Sequence, residues 1–456
     1  MGKRKKRISL FLTVGPLIII LGALALFLSL IFEGERPKLT VTPLPEFLSG
    51  SRVLNIAAED RGRGLRRLLV TMSQEGRKKT ILDRLFAFKG LLNRSGTYRF
   101  QTGVPIDPSR LNLTQGRADL EVRVWDSSRR NGGDGNLSIV LHSMIVDTIP
   151  PAVRAVSRQH YVNLGGTGLV VYQASSDTVE SGLYVGKIFF PGYPAGKATR
   201  PGIHVCYFTV PFDTRGSPDI YLWARDRAGN QSRGGLYYHV RRRTFRQARL
   251  NITDRFLKRV LPSFTGYPFD PGSSDIDRFL KINRELRREN TRMFRELKSK
   301  TVPERLWDGA WIRLGNSATM ARFADHRTYF YKGKKIDEQT HLGVDLASLA
   351  HARVPAANNG RVIFAGPVGI YGLTVVLDHG QGVASTYSHL SSISVAMDQQ
   401  VTKGETLGFT GQTGLAAGDH LHFGVMVNGI FVNPVEWWDG HWIRDNITRK
   451  LAPLEK

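Results

Sequence analysis

Cysteine is almost absent from this 456-residue sequence, since Cys206 is the only one. A single thiol excludes an intramolecular disulfide framework, and it says little about the cellular compartment because many exported proteins simply avoid cysteine. The sequence also lacks low-complexity runs, so its composition is that of a globular protein. At this length we expect two to four domains.

Acidic residues are scarce relative to basic ones, with 39 Asp and Glu against 64 Lys and Arg and a net charge of +25. Such a charge suggests nucleic acid as one class of partner. However, the sequence has no Gly-rich phosphate loop, no zinc-finger spacing and no aromatic RNA-binding motif. We therefore predict no nucleic-acid partner. The charge suits either a solvated basic surface or contact with anionic cell-envelope polymers and lipid head groups.

One long apolar run lies near the amino end. A basic head at residues 1–7 precedes an uncharged stretch at residues 8–32, which is long enough to cross a bilayer core. A cleaved signal peptide is the alternative, but its apolar region would be shorter, and the small residues Ala23–Ala25 lie inside the run. We predict an uncleaved single-pass anchor. Positive charge before the run and Glu33 after it place the remainder of the chain outside the cytoplasm.

The region after the anchor alternates short apolar runs with Gly, Asn, Asp and Pro, which is typical of β-sandwiches. The segment DLEVRVWD (Asp119–Asp126) is repeated as DIYLWARD (Asp219–Asp226), with the same aspartate spacing and alternation. We predict two copies of one domain, at residues 38–147 and 148–245. The region resembles tandem bacterial immunoglobulin-like domains, most clearly in ARDRAGN (Ala224–Asn230).

Residues 251–300 show helical rather than strand periodicity. Ser274 with Asp277 three residues later forms a capping-box start, and Pro303 follows the end. We predict a helical arm here, with its charged side solvated, and a further domain of short strands at residues 311–440. The predicted fold class is mainly β: an N-terminal transmembrane helix, tandem immunoglobulin-like β-sandwiches, a helical linker and a C-terminal antiparallel β-sheet domain.

Histidines are concentrated in that last domain. In HLHFGV (His420–Val425), a strand would place His420 and His422 on one face and Leu421 and Phe423 on the other, whereas a helix would separate the two imidazoles. If this segment is a strand, the two imidazoles can therefore act together at one site.

Two further segments complete the set. THLGVDLA contains His341 and Asp345, which share a face with Gly343 in a strand, and YSHLSS contains His389. Two neutral imidazoles and one carboxylate are a common ligand set for catalytic zinc, with the fourth position left for water. Each histidine alone is more often structural than a ligand. Four histidines and an aspartate together favour a metal site.

The order HLGVD, YSHL and GFTGQTGLAAGDHLHFGV resembles the lysostaphin-type zinc metallopeptidases, the M23 family that cleaves peptide bridges in peptidoglycan. The resemblance covers residues 322–439 and includes GRVIFAG, YGLTVVLDHGQG and VTKGETLGFTG in the family's order. It implies that His341, Asp345 and His422 bind one Zn²⁺ and that His389 and His420 are catalytic. Ala416 and Ala417 depart from the family, which often has Ser-Thr there, and this affects the expected shape of the cleft.

The function implied by this resemblance is a membrane-anchored zinc endopeptidase that hydrolyses peptidoglycan cross-links. The expected location is the bacterial inner membrane, with the domains beyond the anchor in the periplasm. Two alternatives remain: a non-catalytic regulator of another wall hydrolase, and a protease for proteins or peptides. A protein partner in cell wall remodelling also remains open.

Overall fold

The computed structural model of the chain describes residues 2–90, 92–195 and 201–454. Met1 of the predicted basic head and the side chains of residues 2–13 lie outside this description. The chain forms two compact units, Met1–Pro150 with Arg227–Asn230, and Pro151–Asp226 with Gln231–Lys456. It is mainly β, as the alternating sequence predicts.

The first element is a helix, α1 (Gly2–Ile31). Its segment Val14–Ile31 has a mean hydropathy of 2.7, and none of that segment is buried by the protein. Within the described residues it is the one helix that is long and apolar enough to cross a membrane.

In the described residues, the rest of the first unit contains eight strands in two sheets. One sheet has the order β1-β3-β6 and the other β2-β8-β7-β4-β5. The strands are β1 (Lys38–Thr42), β2 (Phe47–Leu48), β3 (Arg52–Glu59), β4 (Leu65–Gln74), β5 (Arg77–Leu85), β6 (Arg99–Ile106), β7 (Gly116–Asp126) and β8 (Leu137–Val146).

Strand β7 shows why this sequence forms a half-buried sheet. Leu120, Val122 and Val124 alternate with more exposed residues and are fully buried, as the period of two in a strand requires. Asp126 ends the strand, and its carboxylate accepts hydrogen bonds from the backbone N–H groups of Ser128 (2.9 Å) and Asn136 (2.7 Å). The aspartate thus fixes the turn that follows.

The second unit begins with a similar set of strands. Its sheets have the orders β14-β15-β11-β9 and β13-β12-β16-β17, and β10 pairs with β18. In the repeated segment, Leu222 and Ala224 of β16 are buried in the same alternation as in β7. The strands are β9 (Val153–Ala155), β10 (His160–Asn163), β11 (Thr167–Ala174), β12 (Thr178–Val185), β13 (Ile188–Pro191), β14 (Tyr193–Pro194), β15 (Ile203–Thr209), β16 (Ile220–Asp226), β17 (Gln231–Gly234) and β18 (Tyr238–Arg241).

The predicted helical arm begins with a strand, β19 (Gln247–Ile252), followed by α2 (Asp254–Val260), α3 (Asp275–Lys281) and α4 (Arg287–Glu296). A π-helical turn, Ile282–Leu286, joins α3 to α4 without a break. Ser274 caps α3 by accepting a hydrogen bond from the backbone N–H of Asp277. The helix is packed along its length, since Phe279, Ile282 and Phe294 are fully buried.

The C-terminal region contains a ten-stranded antiparallel sheet with the main order β20-β23-β30-β27-β26-β25-β28. Strands β21 and β22 instead form a separate sheet with β19. The elements are β20 (Ala318–Ala321), β21 (His326–Tyr331), β22 (Lys334–Thr340), β23 (Val344–Ala347), β24 (Arg353–Pro355), β25 (Gly360–Val368), β26 (Gly372–Asp378), β27 (Val383–Ile393), β28 (Gln400–Val401), β29 (Thr406–Thr410), β30 (Leu421–Val427), β31 (Ile430–Val432), α5 (Val435–Trp438), α6 (Gly440–Ile443) and α7 (Arg449–Leu451).

One hydrophobic core runs from the second sandwich into the C-terminal sheet. Tyr207 of β15 lies 6.4 Å from the rings of both Trp307 and Trp437. Glu436, in α5, accepts hydrogen bonds from the Asn163 amide (2.6 Å) and the Thr167 backbone N–H (2.8 Å). The segments predicted as a sandwich and a separate C-terminal domain therefore share one buried interior.

Candidate metal centre

Three neighbouring strands bring the predicted site residues together. Asp345 on β23 is the direct cross-strand partner of His422 on β30. On the other side of β30, His422 is opposite Ser388 of β27, and His389 is the next residue along that strand. Directly opposed residues in an antiparallel pair are about 4.5–5.5 Å apart, so their side chains meet. The register therefore brings the carboxylate and two of the imidazoles to one place.

His341 reaches the same place from a different backbone position than predicted. It lies in the turn before β23 and not in the strand itself. The turn passes very close to His422, because a Cβ atom on Gly343 would lie 2.6 Å from His422 Nε2. Glycine at this position lets the backbone approach the imidazole ring.

Three potential ligand atoms converge at the centre. His341 Nε2 lies 2.9 Å from Asp345 Oδ1 and 3.0 Å from His422 Nδ1, and the last two atoms are 2.8 Å apart. All three residues are buried. They are the predicted ligand set, and among the described residues they form a group suited to holding one metal ion.

The hydrogen bonds around this group determine which nitrogen atoms face the centre. Nδ1 of His341 donates to the Arg322 carbonyl oxygen at 2.9 Å, because a carbonyl can only accept. In the neutral ring, Nε2 then carries the lone pair that points at Asp345 and His422. Burial lowers the pKa of His422 to about 4, so this ring is neutral at pH 7. Nε2 of His341, Nδ1 of His422 and a carboxylate oxygen face one another, and this donor set suits a cation.

Arg327 holds the other oxygen of the carboxylate. Its guanidinium donates to Asp345 Oδ2 at 2.8 Å, and both side chains are largely buried. Burial alone raises the pKa of Asp345, but the facing imidazoles outweigh this and hold it well below its usual range. Asp345 is therefore ionised, with Oδ1 directed to the centre. Arg327 lies in β21 and in none of the motifs, so no local pattern in the sequence marks it as a site residue.

The two remaining histidines lie beside the centre. Nδ1 of His389 donates to the Thr413 carbonyl (2.8 Å), and Nδ1 of His420 donates to the Gly418 carbonyl (2.8 Å). Their ring centroids are 4.8 Å apart, and His420 Nε2 lies 3.6 Å from Asp345 Oδ1. The Nε2 atom of His389 is thus left for another partner, and that of His420 faces Asp345.

The local environments of these two imidazoles differ. Burial lowers the pKa of His389 well below its usual value. Burial also acts to lower the pKa of His420, but the Asp345 carboxylate outweighs it and the net shift is upward. His389 has a backbone φ of 62°, a left-handed conformation rare for a non-glycine residue inside a strand. Such strain is common where a functional side chain must be aimed away from the regular sheet.

All five predicted residues face one cavity of about 270 Å³. Its wall also includes residues of β19, α2, α3, α4 and β21, which precede the motifs in sequence. The lining residues are Leu250, Asn251, Ile252, Phe256, Phe279, Arg287, Arg327, Tyr329, His341, Leu342, Asp345, Ile370, Tyr371, His389, Leu415, Ala417, His420 and His422.

The helix α4 supports the cavity from behind. Phe294 packs edge-on against Tyr371 (4.9 Å between ring centroids), and Tyr371 packs in the same way against His422 (5.3 Å). Asn290 accepts a hydrogen bond from the backbone N–H of Ile370 at 2.9 Å. The position of the His422 ring therefore depends on α4, a helix that is far from His422 in the sequence.

Comparison with known proteins agrees with this geometry. Residues 339–434 match the model of peptidase family M23. Over 95 residues the chain is 42% identical to the DD-carboxypeptidase/endopeptidase Mpg of Neisseria meningitidis, a stretch that covers 21% of this chain and 22% of the relative. It is 34% identical over 95 residues to the murein hydrolase activator EnvC of Escherichia coli, covering 21% of this chain and 23% of the relative. The matches thus span less than a quarter of these relatives.

Among solved structures, the catalytic domain of lysostaphin from Staphylococcus simulans is 26% identical, with a TM-score of 0.24. The similarity covers 27% of this chain and 94% of that domain. The matched family segment contains His341, Asp345, His389, His420 and His422. Residues 339–434 of this chain are a peptidase M23 domain.

Proposed function

We propose that this protein is a membrane-anchored zinc endopeptidase that hydrolyses peptide cross-links of peptidoglycan. The observation that carries the proposal is the convergence of His341 Nε2, Asp345 Oδ1 and His422 Nδ1 within 3.0 Å of one another. Two imidazole nitrogens and one carboxylate oxygen match the ligand sets of catalytic zinc sites.

These three residues would hold the ion, and their hydrogen bonds orient them for it. The Arg322 carbonyl sets the tautomer of His341, and Arg327 holds the second oxygen of Asp345. When bound, zinc supplies a Lewis acid that activates water and polarises the scissile carbonyl. Groups that hydrogen-bond the ligand side chains normally contribute to metal affinity as well as to ligand orientation.

His389 and His420 would handle the protons of the reaction. Neutral His389 has Nε2 available to accept a proton from the attacking water. His420, whose pKa is raised by Asp345, is suited to donate a proton to the developing oxyanion or to the leaving amine. Opposite pKa shifts in adjacent groups are a usual way of dividing acid and base roles.

The substrate class is supported by the names of the relatives and by the charge of the chain. The Neisseria relative is called a DD-carboxypeptidase/endopeptidase. The net charge of +25 favours residence near anionic polymers. An amide in a peptide cross-link is the bond that a site of this kind can hydrolyse.

Anchoring is supported by α1, whose apolar side chains between Val14 and Ile31 are not covered by protein. We infer a single-pass anchor in the bacterial inner membrane, with the later domains in the periplasm. We also infer that the two sets of strands are immunoglobulin-like. In support, most strands of each set lie in two sheets, and each set also has one parallel pair, β2 with β8 and β10 with β18.

Digestion of purified wall sacculi tests the enzymatic function. The zinc-loaded full-length protein in detergent should release un-cross-linked fragments, identified by mass spectrometry, and a chelator should stop the release. Intact sacculi after prolonged incubation would contradict the proposal. If the protein left sacculi intact but accelerated a separate wall hydrolase, the regulator alternative would hold, as the name of the Escherichia relative suggests.

A further inference from the structure

The cavity beside the candidate metal centre carries more positive than negative charge. Its charged lining consists of one carboxylate, Asp345, and two guanidinium groups, Arg287 and Arg327. Asp345 is already engaged by Arg327 and by the imidazoles. As far as the described residues go, a ligand that enters the cavity therefore meets unused cationic donors and no free carboxylate.

Arg327 is held close to the reacting groups. Its hydrogen bond to Asp345 Oδ2 (2.8 Å) uses one terminal nitrogen. Within the described part of the chain, its remaining N–H groups have no other hydrogen-bond acceptor. A guanidinium has five N–H donors in a fixed fork. Arg327 can therefore bind an anion while it continues to hold Asp345.

Arg287 is oriented by a separate chain of hydrogen bonds. Its Nε and one terminal nitrogen donate to the backbone carbonyl (3.2 Å) and side-chain oxygen (2.7 Å) of Asn283. The buried Asn283 donates in turn to Asp337 at 2.7 Å. This fixes the guanidinium before any ligand arrives, which reduces the entropy lost on binding.

Both guanidiniums line the same cavity and lie near Tyr371. Tyr371, which lines the wall, has a pKa raised by burial, and both Arg287 and Arg327 act to lower it. Leu250, Ile252 and Phe279 supply apolar wall around these charges. Ion pairs are stronger where apolar groups exclude water.

We propose that Arg287 and Arg327 form a carboxylate subsite that selects the substrate. The inference rests on the proposed peptidase function and specifies its substrate class. Because Arg327 touches a candidate metal ligand, a carboxylate that it binds must lie next to the reacting amide. The substrate atom nearest to that amide that can carry the carboxylate is the carbon attached to the scissile nitrogen. The preferred substrate is thus an amide whose nitrogen is attached to a carbon bearing a free carboxylate.

The chemistry is ordinary hydrolysis. Water adds its oxygen to the carbonyl carbon, the C–N bond breaks, and the leaving nitrogen takes up a proton. The products are a new carboxylate and an amine that carries the recognised carboxylate. Peptides cut before their last residue satisfy the requirement, and so do cross-links to a diamino acid with a free carboxylate. Amidated forms and bonds inside a glycine bridge do not.

A matched pair of synthetic wall peptides tests the subsite. The two peptides are identical except that the last residue ends in a carboxylate or in a carboxamide. Using the zinc-loaded full-length protein, we expect kcat/KM to be about 10- to 100-fold higher for the acid, the usual size of a charged hydrogen bond. Arg287→Gln should lower this ratio towards one, mainly through KM. Arg287→Lys keeps the positive charge but loses the paired N–H donors of the guanidinium, so its acid-to-amide ratio of kcat/KM should be intermediate.

The matched control is Arg288→Gln, since Arg288 is the exposed neighbour on the same helix; this variant should keep the parent ratio. Equal cleavage of acid and amide by the parent would overturn the subsite while leaving the peptidase intact. An unchanged ratio in Arg287→Gln would also overturn it. Failure to cut either peptide, together with intact sacculi, would instead contradict the proposed function.

Discussion

The Asp345 carboxylate and the His422 imidazole are direct partners across the β23–β30 ladder, with Oδ1 and Nδ1 2.8 Å apart. We expect His341→Ala, Asp345→Ala and His422→Ala each to lose most of the bound zinc, because each removes one of three ligand atoms. Metal content per protein, measured by mass spectrometry after dialysis, checks this. Full zinc content in any one variant would exclude that residue as a ligand.

His389 and His420 should behave differently from the ligands. Their Nδ1 atoms are bound to carbonyl groups of the loop that includes Thr413 and Gly418, and neither residue belongs to the converging triad. His389→Ala and His420→Ala should keep zinc but lower turnover by about 10²–10⁴. Zinc content and rate are measured on the same preparations. Exposed His441→Ala is the control and should match the parent.

Phe294 links the helix α4 to the site. Its ring is fully buried against Tyr371 and Phe431, so Phe294→Ala should cost about 3–5 kcal/mol of unfolding free energy. Denaturant unfolding followed by tryptophan fluorescence measures this cost. Arg292→Ala, on the exposed side of the same helix, should change stability by less than about 0.5 kcal/mol. A small effect of the Phe294 change would mean that the helix contributes little to the core.

Glu436 joins the second sandwich to the C-terminal region. Glu436→Ala leaves the Asn163 amide and the Thr167 backbone N–H without their acceptor, at a cost of about 1–3 kcal/mol for each buried donor. Thermal unfolding should therefore shift to lower temperature. The neighbouring Val435→Ala, half exposed, is the control. Equal melting temperatures for the two variants would contradict this role.

Stability should fall in mild acid because two buried histidines must be neutral. Burial lowers the pKa of His160 and of His379 to about 4 in the folded protein, against 6.5 when unfolded. The unfolded chain binds the proton first as pH falls, so this stability is present above pH 6.5 and is lost as pH approaches 4. The loss is about 3 kcal/mol for each histidine.

The measurement is urea unfolding at several pH values with chelator present, so that loss of metal does not contribute. His379 lies 4.3 Å from the Trp311 ring, whose fluorescence reports this region. His379→Gln should be less stable at pH 7 but should show a shallower dependence between pH 6.5 and 4. Exposed His441→Gln should keep the parent slope. If stability fell with pH at the same slope in both variants, His379 would not be the titrating group.

Much of the site could be predicted from local sequence patterns. The alternation in HLHFGV placed His420 and His422 on one side, and the motif order brought in His341, Asp345 and His389. The patterns could not predict the backbone conformation at His341, which lies in a turn. A His-x-x-x-Asp spacing fits a strand, a helix or a turn equally well. The catalytic and ligand roles remain predictions.

The remaining parts of the site depend on contacts between distant segments. Arg327 and Arg287 reach the cavity because β19 pairs in parallel with β21 and because α4 packs behind Tyr371. Neither arginine is marked by a motif or by local spacing. The sequence did show the helix through its periodicity and its Ser274 cap. It did not show what that helix packs against, because a buried stripe of apolar residues does not identify its partner.

The shared interior of the second unit limits how the M23 domain can be recombined with other proteins. Separating the chain after β18 would remove β19 from the edge of β21 and would uncover Trp307 and Trp437 where Tyr207 now lies. The M23 domain is therefore not a part that can be cut from the chain by itself. Gene fusions or domain exchanges that preserve its solubility must carry the neighbouring sandwich along with it.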